Sequence, residues 1–292
     1  MNKLTYDVLE KLKNNRDGSF STQAKRRDVL VRMCKLLSAK YPGLILKNLK
    51  RRHIIYVLEQ WKNHKSIKTE LSHVRWLLKK IEKEFLLPSD NKTLGIPHRS
   101  IVAKENKSWL NKVDIMQKFD EVSKIDETAG LILKLCLLFG VRMKEASLFR
   151  PHENIKVDYI EVHYGTKGGR KRTVPVLTDE QRNFLKELKD KIAPGRSLLP
   201  GSWSFVQFKN RFYYVASKCG ISRKNKITVH GLRHTYACLK YRKLTSFDPP
   251  VLKNEHCKPE DKEKDMEARG RIARELGHGR IGITSAYLGG RR

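Results

Sequence analysis

Three times between residues 20 and 85, apolar residues recur at helical spacing, and then the pattern stops. In "TQAKRRDVLVRMCKLLSAKYPG" the stripe is Val29, Leu30, Met33, Leu36 and Leu37, closed by Pro42 and Gly43. "NLKRRHIIYVLEQWKNH" repeats it with Ile54, Ile55, Val57, Leu58 and Trp61. "IKTELSHVRWLLKKIEKEFL" does so again with Leu71, Val74, Leu77, Leu78, Ile81 and Phe85. The stretch that follows, "LPSDNKTLGIPHRSIVAKENKS", holds two prolines and a glycine and has little periodicity. A boundary is therefore expected near residue 107, giving a helical unit over 1–106 and a second unit over 107–292. The length of 292 residues suits two ordinary domains.

The second part is mixed. Residues 112 to 139 predict two helices, the later one carrying the apolar run "AGLILKLCLLFGV". "NIKVDYIEVHYGTKGGRKRTVPV" changes period. Ile155, Val157 and Tyr159 alternate, and Ile160 and Val162 alternate out of phase with them, so a bulged β-hairpin with a glycine-rich basic tip is expected. Helices resume at Thr178. Residues 244 to 268, charged and led by a double proline, read as a solvated insertion. No internal repeat is visible.

Charge narrows the partners. The chain has 62 Lys+Arg against 31 Asp+Glu, a net +31, of which +14 lies in residues 1–105 and +17 in the rest. Such self-repulsion disfavours a compact fold unless a polyanion screens it, and nucleic acid is the first candidate. Lys25, Arg26, Arg27, Arg51, Arg52, Lys79 and Lys80 fall on the polar faces of the first helices and are the candidate DNA-facing cations there. A membrane partner is disfavoured, because no apolar run approaches the roughly 20 residues of a spanning helix and the N-terminus has no signal-peptide core. The five cysteines form no CxxC pair, which suits reduced, mostly buried thiols and a cytoplasmic location.

Four segments carry candidate chemistry, each with a plainer reading beside it. In "FGVRMKEASLF", Arg142 and Glu145 stand at i, i+3, the spacing of an ordinary surface ion pair. The hairpin tip holds Lys167, Arg170, Lys171 and Arg172; such tips are usually solvated, but glycine also lets a backbone approach phosphate. In "ITVHGLRHTYACLKY", His230, Arg233 and His234 share one helix face. Zinc is disfavoured at that pair of histidines: the protease pattern needs Glu after the first His, where Gly231 stands, and Arg233 is adjacent. Finally, "LGHGRIGITSAYL" places a turn at Gly277, His278 after it, and Tyr287 nine residues on in a further expected helix; a late tyrosine is ordinarily a packing residue.

Together and in this order, these segments resemble the tyrosine recombinase (phage integrase) family. Its signature is an Arg in G-x-R-x-x-E, a Lys on a β-hairpin, H-x-x-R-H, L-G-H, and a Tyr nine residues later. Here the matching positions are Arg142 with Glu145, Lys167, His230 with Arg233 and His234, His278, and Tyr287. The motifs span roughly residues 110 to 288. The resemblance implies a mainly α fold: a helical, SAM-like core-binding domain, then an α+β catalytic domain with a small antiparallel sheet. It implies a site-specific recombinase, the integrase of a mobile element, acting on double-stranded DNA sites as a C-shaped clamp and a homotetramer on two sites. An accessory DNA-bending or directionality factor is compatible with this, as is nucleoid association. No metal or other cofactor is implied.

The chemistry needs these residue types. A transition state at a phosphodiester gathers charge on non-bridging oxygens, which suits the permanently charged forks of Arg142 and Arg233, with His278 donating. By the resemblance Lys167 protonates the leaving 5′-oxygen, Tyr287 is the nucleophile, His230 accepts its proton, and Glu145 orients a basic neighbour. A tyrosine on a late, loosely tethered helix is expected to be mobile without DNA. Two features depart from the family: the 244–268 insertion, and only five residues after Tyr287. So short a tail can hardly exchange between subunits, so subunit contacts are expected to be made differently, or the chain is a piece of a longer one. Two rival readings are a type IB topoisomerase and a catalytically inactive DNA-binding protein.

Overall fold

A computed structural model of the chain describes residues 1–98, 100–253 and 261–290. It divides into two compact units, Met1–Ser100 and Ile101–Arg292. Residues 101–106 thus belong with the second unit rather than the first; the Ala103 N–H donates to the Ser285 carbonyl at 2.9 Å. No helix among the described residues is long and apolar enough to cross a membrane.

The first unit is built on α1 (Lys3–Lys13), α2 (Phe20–Lys40), α3 (Arg51–Trp61) and α4 (Ile67–Lys80). Helix α1 went unpredicted, although Asn2 caps it by accepting from the Thr5 N–H and Leu4 and Val8 stand one turn apart. Leu4 and Val8 join Val29, Leu30, Met33, Ile54, Val57, Leu71, Val74 and Leu77 in one core. Each such burial contributes about 1.5–3 kcal/mol, which is how the amphipathic stripes hold the unit together. Two expected stripe members fall outside it. Helix α4 stops at Lys80, so Phe85, on a short 3-10 turn, is exposed, as is Ile55.

Arg26 also departs from expectation. It is only 6% exposed, its guanidinium lies 4.2 Å from the Trp76 ring centroid, and it donates to the Asp17 carbonyl at 3.3 Å. Successive helix residues are about 100° apart, so three adjacent cations cannot share one face. Lys25, Arg27, Arg51 and Arg52 remain exposed; Arg26 is not available to DNA.

The second unit begins with α5 (Ile115–Ile125) and α6 (Glu127–Phe139), where the Asp126 carboxylate caps α6 by accepting from the Ala129 N–H. Ile132, Leu133, Leu135, Cys136 and Phe139 of α6 are buried. Lys134 escapes by carrying its ammonium out to Glu187 at 3.5 Å, over the Phe184 ring at 4.9 Å from its centroid. Next come α7 (Met143–Ser147), α8 (Pro151–Asn154) and an antiparallel hairpin of β1 (Tyr159–Val162) and β2 (Arg172–Pro175), with Ile160 opposite Val174. Ile155 makes only an isolated bridge to Ile160, where the two phases of alternation meet. Helix α9 (Asp179–Lys191) starts on Thr178, α10 (Phe205–Lys218) on Ser204 and α11 (Val229–Thr245) on Thr228, each cap accepting from a backbone N–H. Helix α11 packs on α6 in the middle of the core. The chain closes with α12 (Pro250–Lys253), α13 (Lys262–Glu275) and α14 (Ser285–Leu288).

Residues 244–268 are not one solvated insertion. Thr245, Pro249 and Pro250 are buried. Residues 254–260, which include Cys257, lie outside the described residues. From Lys262 the chain is already α13, whose Asp265 pairs with the fully buried Arg269 at 2.7 Å. The other four cysteines are buried free thiols. The helix expected around Tyr287 is also shorter: a 3-10 turn, Ile281–Thr284, followed by the single turn of α14.

Candidate active site

The site starts where α6 stops. Gly140 has φ +60, and a Cβ there would come within 2.4 Å of the Tyr236 ring, so only glycine turns the chain here. The turn delivers Arg142 to the N-terminus of α7. One turn on, the Glu145 carboxylate accepts from the Arg142 backbone N–H at 2.8 Å and from its Nη1 at 2.7 Å. Arg172 grips the same carboxylate, Nη1 at 3.1 Å and Nη2 at 2.6 Å, while its Nε donates to the Glu275 carbonyl at 2.7 Å. Burial alone would push the Glu145 carboxyl up. The hydrogen bonds and charge of Arg172, then the Arg142 backbone and charge, outweigh it and hold the pKa at about 2. Arg172, expected in a solvated tip, is thus part of the frame under the site.

Helix α11 supplies the next side chains. Arg233 is 1% exposed. Its Nη1 donates to the Gly140 carbonyl at 2.5 Å, its Nη2 to the Leu276 carbonyl, and its Nε to the Tyr287 hydroxyl at 3.3 Å. His278 follows the turn at Gly277, and its Nε2 stands 3.1 Å from the same hydroxyl. The His234 ring is 4.6 Å from the Tyr287 ring, and the exposed His230 is further out at 6.2 Å. Burial, then the charges of Arg233 and Arg142, lowers the His278 pKa to about 4; burial, then His230 and Lys107, lowers that of His234 to about 3. His230 is pushed down by the same kinds of cause, its exposure letting water weaken them. The shifts favour the neutral form of these imidazoles, the form that can accept a proton.

Beside this cluster lies a cleft of roughly 510 Å³ lined by Arg142, Lys167, Arg170, His278 and Arg280 together with glycines 168, 277 and 279. Lys167, Arg170 and Lys171 are exposed on the hairpin tip. Residues drawn from five separate segments therefore meet: Arg142, Lys167 and His278 on the cleft, Arg233, His230, His234 and Tyr287 adjoining it, Glu145 beneath. Sequence reasoning missed Glu275 and Arg280, and read Arg172 only as one of the hairpin-tip cations. Arg280 stood two residues past L-G-H and was visible; the others show their role only through contacts more than a hundred residues apart or across helices. One expectation fails: Tyr287 is not loosely tethered but docked, 6% exposed and packed in the main core.

Two family models match the chain, "Phage integrase, N-terminal" over residues 1–86 and "Integrase" over residues 99–239. The chain belongs to the tyrosine recombinase (phage integrase) family. It is a site-specific recombinase, and the topoisomerase and inactive-binder readings are not favoured. Among solved structures, this tyrosine recombinase is similar to a lambda integrase dimer bound to a COC′ core site: 16% identity, 97% of this chain and 94% of that one, TM-score 0.61. It is similar to XerH recombinase in a pre-cleavage complex with its difH substrate: 16% identity, 99% and 81%, TM-score 0.60. The Tn1549 transposon integrase with transposon right end DNA also matches: 12% identity, 99% and 96%, TM-score 0.59. At these identities the likeness establishes the fold, mainly helical with one small antiparallel sheet. A search of curated proteins finds no match.

Proposed function

We propose that this recombinase cuts and rejoins double-stranded DNA through a phosphotyrosine made on Tyr287, without metal or ATP. The observation that carries the reading is the Tyr287 hydroxyl held 3.3 Å from Arg233 Nε and 3.1 Å from His278 Nε2, beside a cleft that also bears Arg142 and Lys167. The phenol oxygen attacks the scissile phosphorus. A new O–P bond forms to Tyr287 and the bond to the 5′-oxygen breaks. Arg142 and Arg233 stabilise the charge growing on the non-bridging oxygens. Lys167 gives a proton to the departing 5′-oxygen. The phenolic proton passes to a neutral imidazole: His278 is within reach in this conformation, and His230 takes that role once His278 engages phosphate. Glu145 and His234 support these groups rather than react.

The products are a 3′-phosphotyrosine and a free 5′-hydroxyl. Because one ester replaces another, a 5′-hydroxyl from a second duplex can reverse the step with no energy source. Strand exchange then needs two DNA sites, which supports a homotetramer as the working assembly and a mobile element as the setting; an accessory bending factor would act on the DNA. The exposed Lys25, Arg27, Arg51 and Arg52 of the first unit, and Arg170 and Lys171 of the tip, supply phosphate contacts. The test is a nicked duplex that traps the covalent complex in the presence of EDTA. Wild-type chain should accumulate adduct and Tyr287→Phe none; an adduct formed by Tyr287→Phe would overturn the assignment.

A further inference from the structure

The nucleophile sits on a helix that cannot hold itself in place. Helix α14 is the single turn Ser285–Leu288, and one turn pays the nucleation cost of a helix without the propagation that repays it. Its position must come from tertiary contacts. Before Tyr287, the Ser285 carbonyl accepts from the Ala103 N–H. After it, the chain passes through Gly289 at φ +86, so close to α12 that a Cβ would lie 2.9 Å from the Val251 nitrogen and 3.2 Å from Pro250 Cβ. The carbonyls of Gly289 and Gly290 then meet a buried guanidinium. Arg269 of α13, fully buried, donates from Nη1 to the Gly289 carbonyl at 3.1 Å and from Nη2 to the Gly290 carbonyl at 3.3 Å. Its Nε faces the Asp265 carboxylate at 2.7 and 2.9 Å, and Asp265 also accepts from the Tyr241 hydroxyl of α11 at 2.6 Å.

We infer that the Asp265–Arg269 pair is a positioning device for the nucleophile: it grips the backbone two and three residues past Tyr287 and so sets where the phenol oxygen stands relative to Arg233 and His278. The arrangement suits this task better than simple packing. The guanidinium is a planar fork whose orientation the carboxylate fixes, and among the described residues its other edge donates to main-chain oxygens, so it reads the path of the strap rather than its side chains. Asp265 is anchored through Tyr241 to α11, the same helix that carries Arg233. The nucleophile and the arginine it faces are thereby referred to one rigid element. Burial of the pair keeps water from competing for the two carbonyls. Reaction rates are sensitive to such placement, a shift of about 1 Å costing up to 100-fold.

This inference rests on Tyr287 as the nucleophile, so the experiment carries Tyr287→Phe in parallel. The variants are Arg269→Lys and the charge-neutral pair Asp265→Asn with Arg269→Gln, which leaves no buried ion alone. Three quantities are read: affinity for an intact DNA site, single-turnover formation of covalent adduct, and amide hydrogen exchange across residues 285–290. Cleavage is measured on an ordinary phosphodiester and on one whose bridging 5′-oxygen is replaced by sulfur, a leaving group that needs no proton. The expected result is DNA affinity within about twofold of wild type, cleavage slowed tenfold or more on both substrates, and faster exchange confined to the strap. A Lys167 defect, by contrast, is rescued by sulfur. If the paired variant loses its cooperative melting transition, Arg269→Lys decides by the same readings. A folded variant that cleaves at the wild-type rate overturns the positioning role while leaving Tyr287 in place. Adduct formation by Tyr287→Phe overturns the underlying assignment instead.

Discussion

The Arg233 guanidinium lies under the Tyr287 ring, 5.9 Å from its centroid, with Nε turned to the phenol oxygen. The tyrosine therefore covers the most deeply buried cation of the site, and the proposed phosphate contact of Arg233 would require the ring to give way. Tyr287→Ala should bind a DNA site several-fold more tightly than Tyr287→Phe at equal salt, because only the first removes the cover. Equal affinities in a titration at fixed ionic strength would show that phosphate enters without displacing the ring.

The shared carboxylate of Glu145 makes a second case. Its side chain is fully buried and neutralises Arg172, itself almost wholly buried. Glu145→Gln leaves that guanidinium without its counter-charge and should cost about 3–5 kcal/mol in urea unfolding. Glu145→Leu combined with Arg172→Met should cost less than the single change, since no buried charge is stranded. The opposite order would mean the pair does not act as a unit.

The neutral histidines predict a dependence on pH. Their folded pKa values lie below the ordinary value of about 6.5, near 4 for His278 and 3 for His234. Between those values the unfolded chain binds protons that the folded chain refuses. Stability is complete above pH 6.5 and declines as pH falls toward 4 and then 3, before Glu145 titrates near 2. Scanning calorimetry of the DNA-free protein should show Tm dropping through this window, with a shallower slope in His234→Phe. A Tm that stays level from pH 7 to 5 would contradict the burial of these rings as neutral groups.

The adjacent cations of α2 should separate cleanly. Arg27 is exposed, so Arg27→Ala should reduce the slope of log K against log salt by about 0.9 if it holds one phosphate. Arg26→Met should leave that slope unchanged and lower thermal stability through loss of the Trp76 contact, a stacking that contributes up to about 2 kcal/mol where desolvated. A salt slope that changes with Arg26 would restore it to the DNA-facing set.

Much of this was legible because it is local. The stripes of α2 to α4, the restart of helix at Thr178 and the hairpin announce themselves within a few residues. The order of Arg142, Lys167, the α11 triplet, His278 and Tyr287 marked the candidate site for the same reason. The misses share another cause. Arg26 finds Trp76 and Arg172 finds Glu275 across long stretches of chain, and nothing adjacent to a charged residue tells whether it will be hydrated or enclosed. The run from Ile281 to Leu288 has helical character but too few residues to express it without neighbours, so a full helix was expected where one turn exists. Charge in 261–268 suggested solvent, yet Asp265 and Arg269 satisfy each other inside the fold.

Arg172 joins β2 to both Glu145 of α7 and the last carbonyl of α13. Three stretches that otherwise have no covalent closeness, one bearing Arg142, one bearing Lys167 and one leading to His278, are thereby knotted at a single side chain. If the hairpin tip takes the phosphate contacts proposed above, pressure from a DNA backbone there would bear on the other two through Arg172. In the mechanism proposed above, the groups that grip the phosphate and deliver the proton would share this one anchor, so a badly seated duplex would lose both together and be left uncut.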